Sequence, residues 1–241
     1  MSLIAWYKFD ETSGKFYSGA GDYSTGTLLT KANYQSGKIG NGLNFLDSTG
    51  IEIPATSITN TTLNKIGNTI NQYSIALWIK SDGVISAVTP RIVEKISTKY
   101  PFVIREFPTT DKIFLALWDL SHNPQCAEVI ANGGIWHHYC WLIDREKTIK
   151  LYKDGILDTT STDTTVGDIS ATANLAWGNI SGKDRAFIGI IDDFRIYDSL
   201  LSIDEITWLY NNGNGQDLPQ RKILKVGIKK TGGSHRLNKI I

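Results

Sequence analysis

Two aspartates, Asp192 and Asp193, stand side by side in the apolar run "FIGIIDDFRIY". A pair of carboxylates can divide the roles of general acid and nucleophile if both reach one face. Side chains of a regular strand alternate, so sequence neighbours point to opposite faces and this pair cannot act together. His137 and His138 in "IWHHYCW" are separated by the same rule and do not readily share a metal. "DREK" at 144–147 and "REF" at 105–107 have no catalytic spacing, and "SIDEI" belongs to a helix start. There is no G-x-S-x-G, no phosphate loop and no cysteine-rich zinc spacing. The pattern points away from catalysis.

The seven tryptophans and ten tyrosines offer other chemistry. Aromatic faces stack on the C–H faces of sugar rings while polar neighbours bond the hydroxyls. Trp78 and Trp118 fall on the parity opposite the most apolar face of their strands, and Trp177 sits beside the turn "WGNISG". These three are the expected sugar contacts, set against the ordinary reading of tryptophan as a core residue. Trp6, Trp136, Trp141 and Trp208 fit that core reading. Cys126 and Cys140 are equidistant from Gly133 in "CAEVIANGGIWHHYC", which would oppose them in a hairpin. A cross-strand disulfide and two buried thiols both remain open.

These residues need elements to place them, and the chain supplies mainly strands. "LIAWYKF" (3–9), "YSIALWIKS" (73–81), "KIFLALWD" (112–119), "IWHHYCWLID" (135–144), "TIKLYKDG" (148–155) and "AFIGIIDDFRIY" (186–197) alternate as strands do. Shorter strands are expected at 42–46, 50–54, 91–97 and 100–106. Clusters of Gly, Asn, Asp and Ser separate them. Ile75, Leu77 and Ile79 share one face of their strand, as do Ile113, Leu115 and Leu117. One helix is expected at 202–212. Ser202 and Glu205 form a capping box, Leu201 and Ile206 a hydrophobic staple, and Gly213 the stop. Ile203, Ile206, Leu209 and Tyr210 would be its apolar face. "NTTLNKIGNTIN" could hold a second short helix, although its Thr and Asn content favours a loop.

The 241 residues carry 25 Lys and Arg against 24 Asp and Glu, so no global charge draws the protein to nucleic acid or anionic membrane. No run reaches the ~18 apolar residues of a membrane helix. The first residues alternate and show no export signal. The charge is divided unevenly. Residues 217–241 hold seven bases and one acid, net +6, leaving 18 bases and 23 acids, net −5, in 1–216.

"AWYKFDETSG", "SGKIGNGLNF", "YSIALWIKS", "IWHHYCWLIDREKTIKLYKDG" and "GIIDDFRIYDSLLSIDEITWLYNNG" follow one another in that order. Together, over about residues 3–213, they resemble the laminin-G-like, concanavalin A-like lectin/glucanase superfamily, particularly its bacterial and phage branch. The resemblance implies an all-β fold: a jelly-roll sandwich of two curved antiparallel sheets, with one short C-terminal helix and a C-terminal extension. The concave face or rim often holds carbohydrate. In the glucanases a Glu-x-Asp-x-Glu pattern puts acids on one face, and it is absent here. The resemblance also implies a structural Ca2+. Asp192 would be its acid, Gly40–Asn41 its Gly-rich turn, and Asp10 its partner beside the first strand, since a hard cation gathers oxygens. The alternative for Asp192 is a structural acid accepting backbone N–H groups, with Asp193 solvated or paired with Arg195.

The expected organisation is a laminin-G-like domain at 1–216 and a basic-aliphatic extension at 217–241. In the extension, Ile223, Leu224, Val226 and Ile228 lie among lysines. It would dock on other virion proteins or pack on its own domain; nucleic acid is not expected as its partner. The expected function is a non-enzymatic binding or decoration module. It would be a phage capsid or tail protein on the virion surface that attaches to cell-surface glycan. The alternatives are a bacterial surface or secreted carbohydrate-binding module and a purely structural interaction domain.

Overall fold

The computed structural model describes residues 2–13, 18–21, 27–28, 33–46, 50–55, 58, 62–82, 89–107, 112–129, 134–179 and 185–217. The extension, apart from Asp217, lies outside them. In chain order the strands are β1 (Leu3–Tyr7), β2 (Ser18–Gly21), β3 (Thr27–Leu28), β4 (Asn33–Ser36), β5 (Asn41–Phe45), β6 (Ile51–Ile53), β7 (Gln72–Ser81) and β8 (Arg91–Lys95). There follow β9 (Tyr100–Phe107), β10 (Lys112–Trp118), β11 (Gln125–Val129), β12 (His137–Asp144), β13 (Thr148–Lys153), β14 (Ile156–Thr162), β15 (Leu175–Trp177) and β16 (Gly189–Tyr197). The helix α1 spans Ile203–Tyr210. Among the described residues, no helix is long and apolar enough to cross a membrane.

The strands form two antiparallel sheets. The first runs β14-β13-β12-β7-β16-β1-β2, with β5 also on β16 and β4 on β5; the second runs β11-β10-β9-β8-β15-β6-β3. Alternation explains the core between them. Ile75, Leu77 and Ile79 from β7 meet Ile113, Leu115 and Leu117 from β10, all fully or almost fully buried. This is the jelly-roll sandwich, closed by the burial of one face of each sheet.

The first sheet's outward face is covered as well. Ile206 and Leu209 of α1 pack with Leu201 on Ala76, Cys140, Leu142 and Tyr197. The Ser202 hydroxyl accepts the Glu205 N–H, and the Glu205 carboxylate accepts the Ser202 N–H, so the capping box is formed. Two details differ from the expectation. Ile203 is exposed, because the helix lies on the sheet by a narrow stripe. The chain leaves the helix at Asn211, in a left-handed conformation, two residues before Gly213. Among the described residues of "NTTLNKIGNTIN" the helical structure is a short 3-10 turn, Leu63–Lys65.

Cys126 and Cys140 are not hairpin partners. Cys126 in β11 lies opposite Leu115 of β10, in the second sheet. Cys140 in β12 lies opposite Ala76 and Tyr152, in the first. One thiol is in the core and the other under the helix, and both are free and buried. β11 and β12, on either side of Gly133, therefore belong to different sheets, and Gly133 itself lies outside the described residues.

Candidate functional site

The second sheet's outward face has no helix over it among the described residues. Its register arranges side chains in rows. Tyr100 of β9 stands opposite Trp118 of β10, Val103 opposite Ala116, and Arg105 opposite Phe114. On the other side of β9, Val103 meets Glu94 of β8 and Arg105 meets Arg91. An aromatic row and an arginine row thus flank a floor of small side chains.

Two β-bulges make this arrangement possible. Strict alternation would put Tyr100 and Val103 on opposite faces, and likewise Arg91 and Glu94. One register shift adds a residue to β9 between the partners of Ala116 and Trp118, and another adds one to β8 between Arg91 and Val93. Each extra residue turns the following side chains over. Arg185 joins through the backbone, since the Arg91 N–H donates to the Arg185 carbonyl at 2.9 Å.

Arg91, Tyr100, Arg105, Trp118, Asn123 and Arg185 line a cavity of about 390 Å3. The Tyr100 and Trp118 rings are 4.8 Å apart at 55°. The Arg105 guanidinium lies 5.6 Å from the centre of the Tyr100 ring and 6.0 Å from that of Phe114. Phe114 stacks in turn on Phe107 at 4.2 Å. The aromatic groups are therefore held by one another and by a cation.

The charges here are under-compensated. Arg91 is 5% exposed and Glu94 3%. Their closest approach, Nε to Oε2, is 3.7 Å, too long for a hydrogen bond. Arg91 Nε and Nη1, Arg105 Nε and Glu94 Oε2 are buried and have no hydrogen-bond partner among the described residues. Burial pushes Glu94 up to about 7 despite Arg91, Arg105 and Arg185, which favour its charged form. Burial, then the repulsion of Arg91, brings Arg105 down to about 10.

Of the three tryptophans chosen from the sequence, the structure places only Trp118 in this cavity. Trp78 is 1% exposed, beneath Tyr210 and His138, with the Lys38 ammonium 4.9 Å over its ring. Trp177 is fully buried among Tyr7, Phe9 and Phe194. Neither offers a face to a sugar. Parity had turned Trp78 away from the core correctly, but the outward face of that sheet is itself covered. Arg91, Tyr100, Arg105, Asn123 and Arg185 were missed. The available signal was an arginine inside each of the apolar strands "RIVEK" and "YPFVIREF".

The aspartate pair sits elsewhere, on the first sheet. A third register irregularity, between Asp192 and Arg195, gives β16 an extra residue against β7, with Asp193 at φ 51°. The acids are therefore not on opposite faces as alternation required. Asp193 accepts from the Trp6 indole at 2.6 Å and from Arg195 Nε at 3.0 Å, and all three are buried. It is paired, not solvated.

Asp192 is fully buried, and its Oδ2 accepts the N–H groups of Lys38 and Ile39 at 2.7 and 2.8 Å. Its Oδ1 has no hydrogen-bond partner among the described residues. Burial above all raises its carboxyl well beyond the usual carboxylate range, and Asp193 and Asp10 add to this. Asp10 holds the other side of the same turn by accepting the Asn41 N–H at 3.0 Å. Asn41 Nδ2 donates to the Asp10 and Glu11 carbonyls. At Gly40, φ 61°, a Cβ would stand 2.1 Å from Asp10 Oδ1, so only glycine closes the turn. Among the described residues no three acids, histidines or cysteines converge for a metal. The unpartnered oxygen beside other acids still fits a hard cation whose remaining oxygens come from backbone and water.

His137 and His138 do face opposite ways. His137 Nδ1 is 2.7 Å from Asp154 Oδ2, while His138 packs on Trp78. Each is part of the framework.

In overall shape the chain is similar to the binding domain of botulinum neurotoxin serotype G. The TM-score is 0.71 at 14% identity, over 87% of this chain and 50% of that one. It is similar to the binding domain of Paraclostridial Mosquitocidal Protein 1, with TM-score 0.71 at 14% identity, over 88% and 52%. It thus spans about half the length of these toxin binding domains. It also resembles Domain 4 of AbnA, a GH43 extracellular arabinanase from Geobacillus stearothermophilus, in complex with arabinotriose. There the TM-score is 0.63 at 23% identity, over 89% of this chain and 98% of that one. No curated protein matches in sequence. The neighbours share its two-sheet fold, and residues 48–207 match the Laminin_G_3 family. With two such sheets, their register and this match, the chain belongs to the concanavalin A-like lectin/glucanases superfamily.

Proposed function

We propose that the protein is a non-enzymatic carbohydrate-binding module and that the sugar sits in the cavity on the outward face of the second sheet. The observation that carries this is the Tyr100–Trp118 pair beside Arg105 and Asn123 in one cavity. An aromatic wall with a few polar groups is the usual composition of a small-molecule site. The cavity's described lining contains no carboxylate, which supports binding without hydrolysis. AbnA Domain 4, whose structure holds arabinotriose, supports a saccharide as the class of ligand. Trp118→Ala should lower affinity at least ~10-fold for any saccharide found on a glycan array, without lowering the melting temperature. Unchanged binding by Trp118→Ala and Tyr100→Ala would move the site elsewhere.

The finer proposal is a phage protein displayed on the virion surface, binding host-cell glycan and meeting other virion proteins through residues 217–241. It rests on the net +6 of that segment against the net −5 of residues 1–216. Peptide mass spectrometry of purified virions tests it, and absence from the particle would remove it. We also propose a structural Ca2+ held by Asp192 with Asp10, Gly40 and Asn41 around the 37–41 turn, on the strength of the unpartnered Asp192 Oδ1.

A further inference from the structure

We infer that the saccharide is an acidic one, whose carboxylate is held by Arg105, Arg91 and Arg185 while its ring lies against Tyr100 and Trp118. The inference rests on the proposed reading of the cavity as a sugar site and adds the chemical class of the ligand.

Three guanidinium groups line one cavity of about 390 Å3. The facing acid, Glu94, is buried, has no hydrogen bond through Oε2 and lies 3.7 Å from Arg91 Nε. Even a fully ionised Glu94 would leave the three cations in excess. Arg91 is buried and Arg105 and Arg185 are half-buried, so their like charges repel at a cost that a bound anion would lower. Arg91 Nε and Nη1 and Arg105 Nε are donors buried beside the cavity without partners. A neutral sugar could bond the guanidinium groups that line the cavity only through weakly accepting hydroxyls. A carboxylate is planar, accepts two parallel N–H bonds and makes charge-assisted bonds about twice as strong as neutral ones. A carboxylated ring also has the apolar C–H face that the aromatic pair requires, which a free phosphate or small anion lacks.

The experiment measures binding to the full chain by calorimetry, using saccharides matched except for charge. The pairs are oligogalacturonate against its carboxyl-reduced form and sialyllactose against lactose, with dextran sulfate, which has no carboxylate, as the sulfate-bearing arm. At least one carboxylated member should bind ~30-fold or more tighter than its neutral match. That advantage should shrink as salt rises from about 50 to 500 mM, because the cavity is open to solvent. Arg105→Gln should bring the acid-to-neutral ratio close to one, and Arg105→Lys should restore part of it, since charge remains and the fork is lost. Melting curves of both variants exclude simple unfolding. Equal affinity for acidic and neutral partners, lost on Trp118→Ala, would overturn the acidic class and leave the sugar site standing. Binding to dextran sulfate alone would overturn the carboxylate. No Trp118-dependent saccharide binding at all would overturn the underlying reading as well.

Discussion

Burial beside the cavity's arginines raises the range in which Glu94 ionises. It lies between Arg91, Arg105 and Arg185, with Glu52 of β6 as a further acid two strands away, and burial raises it to about 7 from an ordinary value of 4.5. A carboxyl raised in the folded state favours folding while it is protonated. Its contribution is whole below about pH 4.5 and is lost as pH rises through about 7. The shift corresponds to roughly 3 kcal/mol. Relative to the parent, Glu94→Gln should therefore gain stability between pH 4.5 and 7 and be level with it at lower pH. Urea unfolding at several pH values checks this, and parallel curves would mean that Glu94 ionises normally.

At the scale of elements, the β-bulge decides which side chains meet. In β16 it brings Asp193 beside Trp6 and Arg195, and the Arg195 guanidinium lies 4.3 Å from the centre of the Trp6 ring. Arg195 is fully buried, so losing its acid would strand a charge. Asp193→Ala should cost about 3 kcal/mol or more in urea unfolding. Asp193→Asn should cost less, because it can still accept a hydrogen bond and Asn tolerates the left-handed backbone. The bulges in β8 and β9 act alike on Arg91 and Tyr100, so a one-residue deletion in either strand would dismantle the cavity while sparing the core face beyond it.

Across the whole molecule, the 37–41 turn joins the N-terminal segment to the last strand. Asp10 holds one side and Asp192 the other. Without a cation, the buried Asp192 keeps its proton well beyond the usual range, and its ionisation works against folding as pH rises. A bound Ca2+ would take the proton's place and stabilise the fold by mass action. Calcium should raise the melting temperature of the parent relative to EDTA at pH 7.5, and Asp192→Asn should abolish the difference. Identical melts for the parent with calcium and EDTA would make Asp192 a structural acid.

By itself the sequence determined the periodic features of this protein. Alternation located the long strands and their core faces, as in Ile75, Leu77 and Ile79, because period two is written directly in the residue order. The capping box located the helix for the same local reason. The tertiary structure decided whatever depended on a break in that period or on what lies above a face. Bulges brought Asp192 and Asp193 out of simple opposition and set Tyr100, Arg91 and Glu94 on one face, and a single extra residue leaves little trace in composition. The helix over the first sheet buried Trp78, while the second sheet's outward face, with no helix over it among the described residues, left Trp118 beside a cavity. Cys126 and Cys140 were parted because their strands joined different sheets. Sequence neighbours determine the parity of a strand, whereas contacts made across the fold determine which parity meets solvent.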